Sequence, residues 1–423
     1  MTLEVQIFNG VESPKLQLPE LNNDVYRFHV VSKPSASRCN LDCNYCFYLH
    51  KEILLEQSSH AGMSDETLAL HIKQYIEAQT GDEVVFTWQG GEPTLMGLPF
   101  FEKVIALQNK FKKSDQIILN DLQTNGILLN DNWCQFLKQH QFLVGISIDG
   151  PKHLHDIHRV NRAGKSSFDK VMAAVTLLKN YQITFNVLCV VNQDNGTFPL
   201  EVYRFLRDEV RPQVIQFIPC VEPRDFTRTA PNKWRTKDLI QIGNKSLSPN
   251  EEDAYLTSWS VGATQWGTFL TVVWDEWLKN DFGQVFVDQF ENVISQMFGF
   301  GAQKCESAEF CGKAVAIEHN GDLYSCDHFV YPEYKLGNIA ETHMGDLVFS
   351  TKQETFGKSK TENLPSDCRQ CFFLSLCHGE CPKNRFTKTA AGEAGLNYLC
   401  PGLKKFYSKV VNSQTTLQQR LRA

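Results

Sequence analysis

Six runs rich in β-branched and aromatic residues recur along the first two-thirds of the chain, each bounded by turn-forming residues. They are Arg27–Ser32, Val84–Trp88, Ile117–Leu122, Leu143–Ser147, Ile183–Val191 and Val214–Pro219, and they read as strands. Amphipathic stretches lie between them. Ser64-Asp65-Glu66 supplies an N-cap and an acidic first turn, followed by Leu68, His71, Ile72 and Ile76 at helical spacing. Further helices are expected over Phe100–Phe111, Asp131–His140, Phe168–Leu178 and Leu200–Arg207. Strand–helix alternation of this kind predicts an α/β fold with a parallel sheet and right-handed crossovers. Six repeats suit an open or partial barrel better than a closed eight-fold one.

The remainder has a different character. Residues 231–252 are polar and read as a linker. Trp266, Phe269, Leu270, Val273, Trp274, Trp277 and Leu278 share one face of a packing helix. From Cys305 onward the chain is cysteine-rich. The expected organisation is an extension over 1–25, the strand–helix unit over 26–230, a linker and helix over 231–300, and a cysteine-rich unit over 301–423.

Fourteen cysteines are too many for an ordinary cytosolic enzyme and too dilute for a disulfide scaffold. The first ten residues carry neither a basic n-region nor an apolar h-region, so a cytoplasmic location with reduced thiols is expected. No stretch is apolar enough for a membrane span. The net charge of −6 and pI near 6.1 argue against a nucleic-acid partner. Clustered reduced thiols then point to metal ligation or redox chemistry.

Three cysteines follow the first strand directly, as Cys39-Asn-Leu-Asp-Cys43-Asn-Tyr-Cys46. A chance CxxxCxxC in a chain of this composition has a probability of about 0.015. Three thiolates can hold three irons of a 4Fe–4S cube and leave the fourth open. A zinc site completed by His50 or another residue is the alternative reading of the spacing. Polar and glycine residues end the neighbouring strands on the same side: Gln89-Gly90-Gly91-Glu92-Pro93, Gln123-Thr124-Asn125-Gly126 and Ser147-Ile148-Asp149-Gly150-Pro151. Glycines let a backbone approach a ligand. Glu92 offers an acceptor for an ammonium, and Thr124, Asn125 and Ser147 suit ribose hydroxyls.

With Tyr45 as the aromatic residue of CxxxCxφC and Gly90–Pro93 as GGEP, the chain resembles the radical S-adenosylmethionine enzymes. The resemblance implies a partial (β/α)6 barrel and a 4Fe–4S cluster on Cys39, Cys43 and Cys46. It also implies S-adenosyl-L-methionine chelated at the open iron, and reductive cleavage to a 5′-deoxyadenosyl radical.

Eight further cysteines, Cys305, Cys311, Cys326, Cys368, Cys371, Cys377, Cys381 and Cys400, are enough for two four-thiolate sites, of zinc or of iron. Their spacing resembles the SPASM domain, which implies two auxiliary 4Fe–4S clusters and three in all. The family arrangement would place the first on Cys305, Cys311, Cys326 and Cys381. The second would lie on Cys368, Cys371, Cys377 and Cys400. So loaded, the protein would carry a charge of roughly −11.

Within that group the chain resembles the anaerobic sulfatase-maturating enzymes, through Lys33-Pro34, Cys46-Phe47-Tyr48, Trp88–Pro93, Leu122–Gly126, Val144–Pro151 and Cys326-Asp327. The resemblance implies oxidation of a Cys or Ser in an unfolded sulfatase, in a CxPxR or SxPxR segment, to Cα-formylglycine. A flavodoxin or ferredoxin is the expected reductant. Asp327 would be the catalytic base. In an extended segment it would point away from Cys326, and a nearby anionic cluster would raise its pKa. Tyr48, Gln89, Ser147 and Arg159 would lie near the peptide or the methionyl carboxylate. A SPASM-type maturase that cross-links a ribosomal peptide is the alternative, and the short segment before the first strand disfavours it. His153, His155 and His158 do not share a helical face and are not read as a metal site. Cys134, Cys189 and Cys220 are read as core thiols.

Overall fold

A computed structural model describes residues 27–58, 60–231, 233, 239–241 and 255–422. The expected extension and most of the expected linker lie outside the described residues.

Six parallel strands form in chain order: β1 (His29–Lys33), β2 (Glu83–Trp88), β3 (Ile117–Thr124), β4 (Leu143–Ser147), β5 (Phe185–Val191) and β6 (Val214–Pro219). Each lies within two residues of its sequence expectation. Helices Asp65–Ala78, Leu98–Phe111, Asp131–Gln139, Phe168–Asn180 and Pro199–Phe205 join them. The cap at Ser64 forms as expected, its side chain accepting from Thr67 N. Asn130 caps the third of these helices in the same way.

The sheet does not stop at six strands. Beyond β6 a short strand, β8 (Phe286–Val287), continues it in parallel. On the other side β9 (Ala314–Glu318) pairs in parallel with β1 over its whole length, His29 opposite Ala314 and Lys33 opposite Glu318. Two antiparallel strands, β10 (Asp322–Tyr324) and β11 (Lys335–Asn338), complete a ten-stranded sheet. The cysteine-rich region thus extends the same sheet. Its strands are short and lie among turns, so their pattern is weak in the sequence. A small second sheet joins β7 (Ile240–Gln241), β12 (Thr387–Lys388) and β13 (Ala394–Leu396).

The expected apolar helix spans Ala263–Asn280 and buries Trp266, Phe269, Val273, Trp274 and Trp277. Helix Cys400–Asn412 crosses it in backbone contact. A Cβ on Gly402 would fall 1.9 Å from the Ala263 carbonyl oxygen, so only glycine permits this crossing. Among the described residues, no helix is long and apolar enough to cross a membrane.

Candidate functional site

Cys39, Cys43 and Cys46 lie in the loop after β1, at the C-terminal mouth of the parallel strands, where chemistry collects in such folds. Main-chain bonds tie this loop to the segment after β4: Asp42 N donates to Val160 O at 2.8 Å and Asn44 N to His158 O at 3.2 Å. All fourteen cysteines are free thiols. Burial pushes Cys39 up to about 11 and Cys43 and Cys46 to about 12, and the three raise one another. They are protonated without metal, so binding one must displace protons. His50, the alternative fourth ligand, turns away and packs on Phe226 at 4.9 Å.

The GGEP segment packs closely on the backbone just before Cys39. Gly91 N donates to Ala36 O at 2.9 Å and Glu92 N to Arg38 O at 2.8 Å. A Cβ on Gly91 would lie 1.9 Å from the Arg38 carbonyl oxygen. Gly90 sits 3.2 Å from the Ala36 carbonyl by the same measure. Both glycines let β2 support the cysteine loop from beneath.

Glu92 is buried, and Oε1 accepts from Thr94 N (3.0 Å), Thr94 Oγ1 (2.5 Å) and Thr124 Oγ1 (2.7 Å), while Oε2 accepts from Asn125 N (2.8 Å). The carboxylate knits the ends of β2 and β3 together. Thr124 accepts from Gly126 N as well, so its hydroxyl faces inward. The Asn125 amide donates to Asn40 Oδ1 at 2.7 Å and points at Cys39 Sγ, 3.7 Å away. Of the expected ribose contacts, half-buried Ser147 keeps its hydroxyl hydrogen, since it accepts from Gln123 Nε2 at 2.9 Å. Gln89 is half-buried at the end of β2, held by Ser32 O.

Tyr45 and Arg159 belong to a buried triad. The Tyr45 hydroxyl donates to Asp149 and accepts from Arg159 Nη1 at 2.8 Å. Burial pushes the Asp149 carboxyl up, against the pull of Arg159. Arg159 Nε is buried without a hydrogen-bond acceptor, and its charge reaches Cys43. It is an open donor for an anionic ligand beside the thiol loop. Asp149 carried no assigned role in the sequence, although it stands in the Ser147–Pro151 segment.

A second cluster gathers where β1 meets β9. Lys33, at the end of β1 and 1% exposed, pairs with Asp327 at 2.5 Å. The Lys33 ammonium lies over the Tyr48 ring, 4.5 Å from its centroid. The Tyr48 hydroxyl donates to Glu318, at the end of β9, and Gln57 Nε2 donates to the other carboxylate oxygen at 2.9 Å. Tyr48 is therefore fixed by its hydroxyl and presents its ring. The expected rise in the Asp327 pKa is reversed in the protein alone. Burial pushes it up, but Lys33, then His328 and Lys51, hold it below the usual range. Cys326 is extended, with φ −165° and ψ 156°, and a turn begins at Asp327. The two side chains diverge as expected, the thiol toward Cys305 and Cys311 and the carboxylate toward Lys33. A cavity reaches this turn, walled by Phe47, Phe226, His328, Tyr331 and Phe386, with the Glu222–Lys383 pair at its side.

The eight C-terminal thiols separate into two sets. Cys305, Cys311, Cys326 and Cys381 influence one another's ionisation. Cys368, Cys371, Cys377 and Cys400 ring a cavity of about 30 Å³, closed by Leu403 and Tyr407. The remaining thiols, Cys134, Cys189 and Cys220, are buried. His153, His155 and His158 go to three different partners, Glu201, Ser167 and Asp194. The donor sets fit iron–sulfur clusters: one group of three soft ligands and two of four, with no disulfide among them.

A parallel sheet with a three-cysteine loop at its mouth, extended by a C-terminal region that carries eight further clustered cysteines, defines a radical S-adenosylmethionine enzyme with an iron–sulfur C-terminal region. Family profiles agree: that of the Radical SAM superfamily matches residues 34–206, and that of the SPASM iron–sulfur cluster-binding domain matches 305–372. The serine-type anaerobic sulfatase-maturating enzyme of Bacteroides thetaiotaomicron is 42% identical over 393 residues, covering 93% of this chain and 92% of that one. The cysteine-type enzyme of Clostridium perfringens is 32% identical, covering 89% and 94%. The structure of native anSMEcpe with bound AdoMet and Cp18Cys peptide superposes with a TM-score of 0.79 at 29% identity, over 93% of this chain and all of that one. Streptococcus suis SuiB shares the fold at 15% identity, with a TM-score of 0.58 over 89% of this chain and 76% of that one. The chain belongs to the anaerobic sulfatase-maturating enzymes.

Proposed function

We propose that this protein oxidises a Ser or Cys side chain of an unfolded sulfatase, within an SxPxR or CxPxR segment, to Cα-formylglycine. Cys39, Cys43 and Cys46 hold the cluster that binds S-adenosylmethionine. Cys305, Cys311, Cys326 and Cys381 hold the first auxiliary cluster, and Cys368, Cys371, Cys377 and Cys400 the second. Loaded there, the clusters and S-adenosylmethionine would supply radical chemistry at the substrate Cβ and an acceptor for the electron that leaves.

The chain's own residues do the rest. Arg159 offers its buried Nε to the methionyl carboxylate, and Ser147 offers its hydroxyl to the ribose. The peptide brings its target residue to the Asp327 carboxylate at the turn after Cys326. Lys33 keeps Asp327 ionised, so it is ready to take the proton from the substrate hydroxyl or thiol. Tyr48 fixes Lys33 from below through its ring. The observation that carries this reading is the Cys326–Asp327 step. One residue supplies a thiol to a cluster set and the next supplies a base at the same mouth. A flavodoxin or ferredoxin serves as reductant.

The test is anaerobic turnover of the reconstituted enzyme with S-adenosylmethionine, a reductant and paired SxPxR and CxPxR peptides, read by mass spectrometry. An aldehyde product is expected. A cross-linked peptide alongside 5′-deoxyadenosine would instead indicate the peptide-maturase chemistry. Asp327→Asn should still cleave S-adenosylmethionine yet lose aldehyde formation by about 10²-fold or more, the usual weight of a positioned base. Full activity in that variant would remove Asp327 from the role.

A further inference from the structure

Two buried cations lie among the C-terminal thiols, and neither has a carboxylate within 4.0 Å among the described residues. Lys360, 0% exposed, ends in three main-chain carbonyls of the first ligand loop: Cys305 O at 2.7 Å, Glu306 O at 2.8 Å and Ala308 O. Arg385, 6% exposed, donates from Nε to Gly379 O at 2.9 Å, from Nη1 to the Lys360 carbonyl, and from Nη2 to His378 O at 2.6 Å and Glu380 O at 3.1 Å. The two are linked through the Lys360 main chain, at the end of helix Thr351–Glu362.

Neutral carbonyls orient a cation but do not cancel its charge. A buried cation without a counter-charge is costly. The thiolate sets would supply counter-charge beside both cations. Lys360 is bonded to the main chain of Cys305 itself, a member of the first set. The Arg385 guanidinium bonds the carbonyl of His378, which follows Cys377 of the second set, and that of Glu380, which precedes Cys381 of the first. It therefore lies between the two sets, while Lys360 lies beside the set that includes Cys326, next to Asp327.

We propose that Arg385 is a shared electrostatic partition that raises the reduction potentials of both auxiliary sites, and that Lys360 raises that of the first site alone. This rests on the ligand sets given under the proposed function. Each four-thiolate site goes from about −2 to about −3 on taking one electron, without a proton. A fixed neighbouring cation stabilises the more negative form, and more strongly in a low-dielectric interior. Lys360 thus holds the site nearest the substrate in a state that accepts an electron readily. Both residues act through the clusters and position charge without touching substrate.

The test is EPR-monitored redox titration of the full-length reconstituted protein in the Cys39→Ala/Cys43→Ala/Cys46→Ala background, so that only the two auxiliary signals remain. Iron and sulfide are counted in each sample. Eight irons in this background support the ligand sets independently of any potential. Loss of four on a further Cys326→Ala or Cys377→Ala change assigns each signal.

Lys360→Gln should lower the first potential by at least 59 mV, a tenfold shift for one electron, and leave the second in place. Arg385→Gln should lower both, and Arg385→Lys, which keeps the charge, should hold both at the starting values. If Arg385→Gln does not assemble, Lys360→Gln and Arg385→Lys decide. An unmoved first potential in Lys360→Gln, or altered potentials in Arg385→Lys, would overturn the proposal.

Discussion

Lys51 shows how much a single side chain can be asked to bear. It is 1% exposed, its ammonium finds no hydrogen-bond acceptor, and it sits 3.2 Å above the Tyr331 ring centroid. Burial drives its pKa down to about 7, against the pull of Glu222, Asp327 and Glu333. Between about 7 and the unfolded value near 10.5, the unfolded chain binds the extra proton, so stability rises with pH across that window. Lys51→Met should therefore be more stable than the parent at pH 6, on the order of a few kcal/mol, with the gap closing toward pH 10. Urea melts at several pH values check this, and a pH-independent gap would contradict it. The grouping of the cysteines was legible because their spacing is local and rare. Lys33–Asp327, Tyr48–Glu318 and Tyr45–Asp149–Arg159 were not, because each joins residues far apart in sequence whose types are common at strand ends. Asp327 itself was legible only by its place beside Cys326. Its paired state required knowing that β9 brings the turn to the end of β1.

At the level of elements, short-range chemistry decided the outcome where it was strong. Strands β1–β6 and their helices follow from alternation, caps and turn residues, and the structure moves their ends by two residues at most. The glycines were harder, because a glycine announces room without saying for what. Gly91 makes room for the cysteine loop, and Gly402 makes room for a helix crossing. That crossing holds Cys400, proposed above as a cluster ligand, which opens the helix that contains Gly402. Gly402→Ala would drive a methyl group into the Ala263 carbonyl. It is expected to lower the melting temperature and to cost the second auxiliary site, with iron falling from about twelve toward about eight per chain. Unchanged iron content and melting temperature would show that the helices can separate without loss.

For the whole molecule, the decisive contact is β9 on β1. Edge strands left open invite association with other chains, and here the edge is covered by residues from the cysteine-rich region. A chain ending at residue 304 would expose β1 along its full length and lose Glu318 from beneath Tyr48. Such a truncation should be recovered mainly as aggregate. A soluble monomer with a cooperative thermal transition would mean that the first strand tolerates exposure. The same pairing has a consequence for synthesis. Most of the chain lies between His29 and Ala314, and contacts that distant in sequence form late and slowly. The loop bearing the three leading thiols leaves the ribosome long before the strand that seals its flank. During translation that flank stands open until β9 arrives.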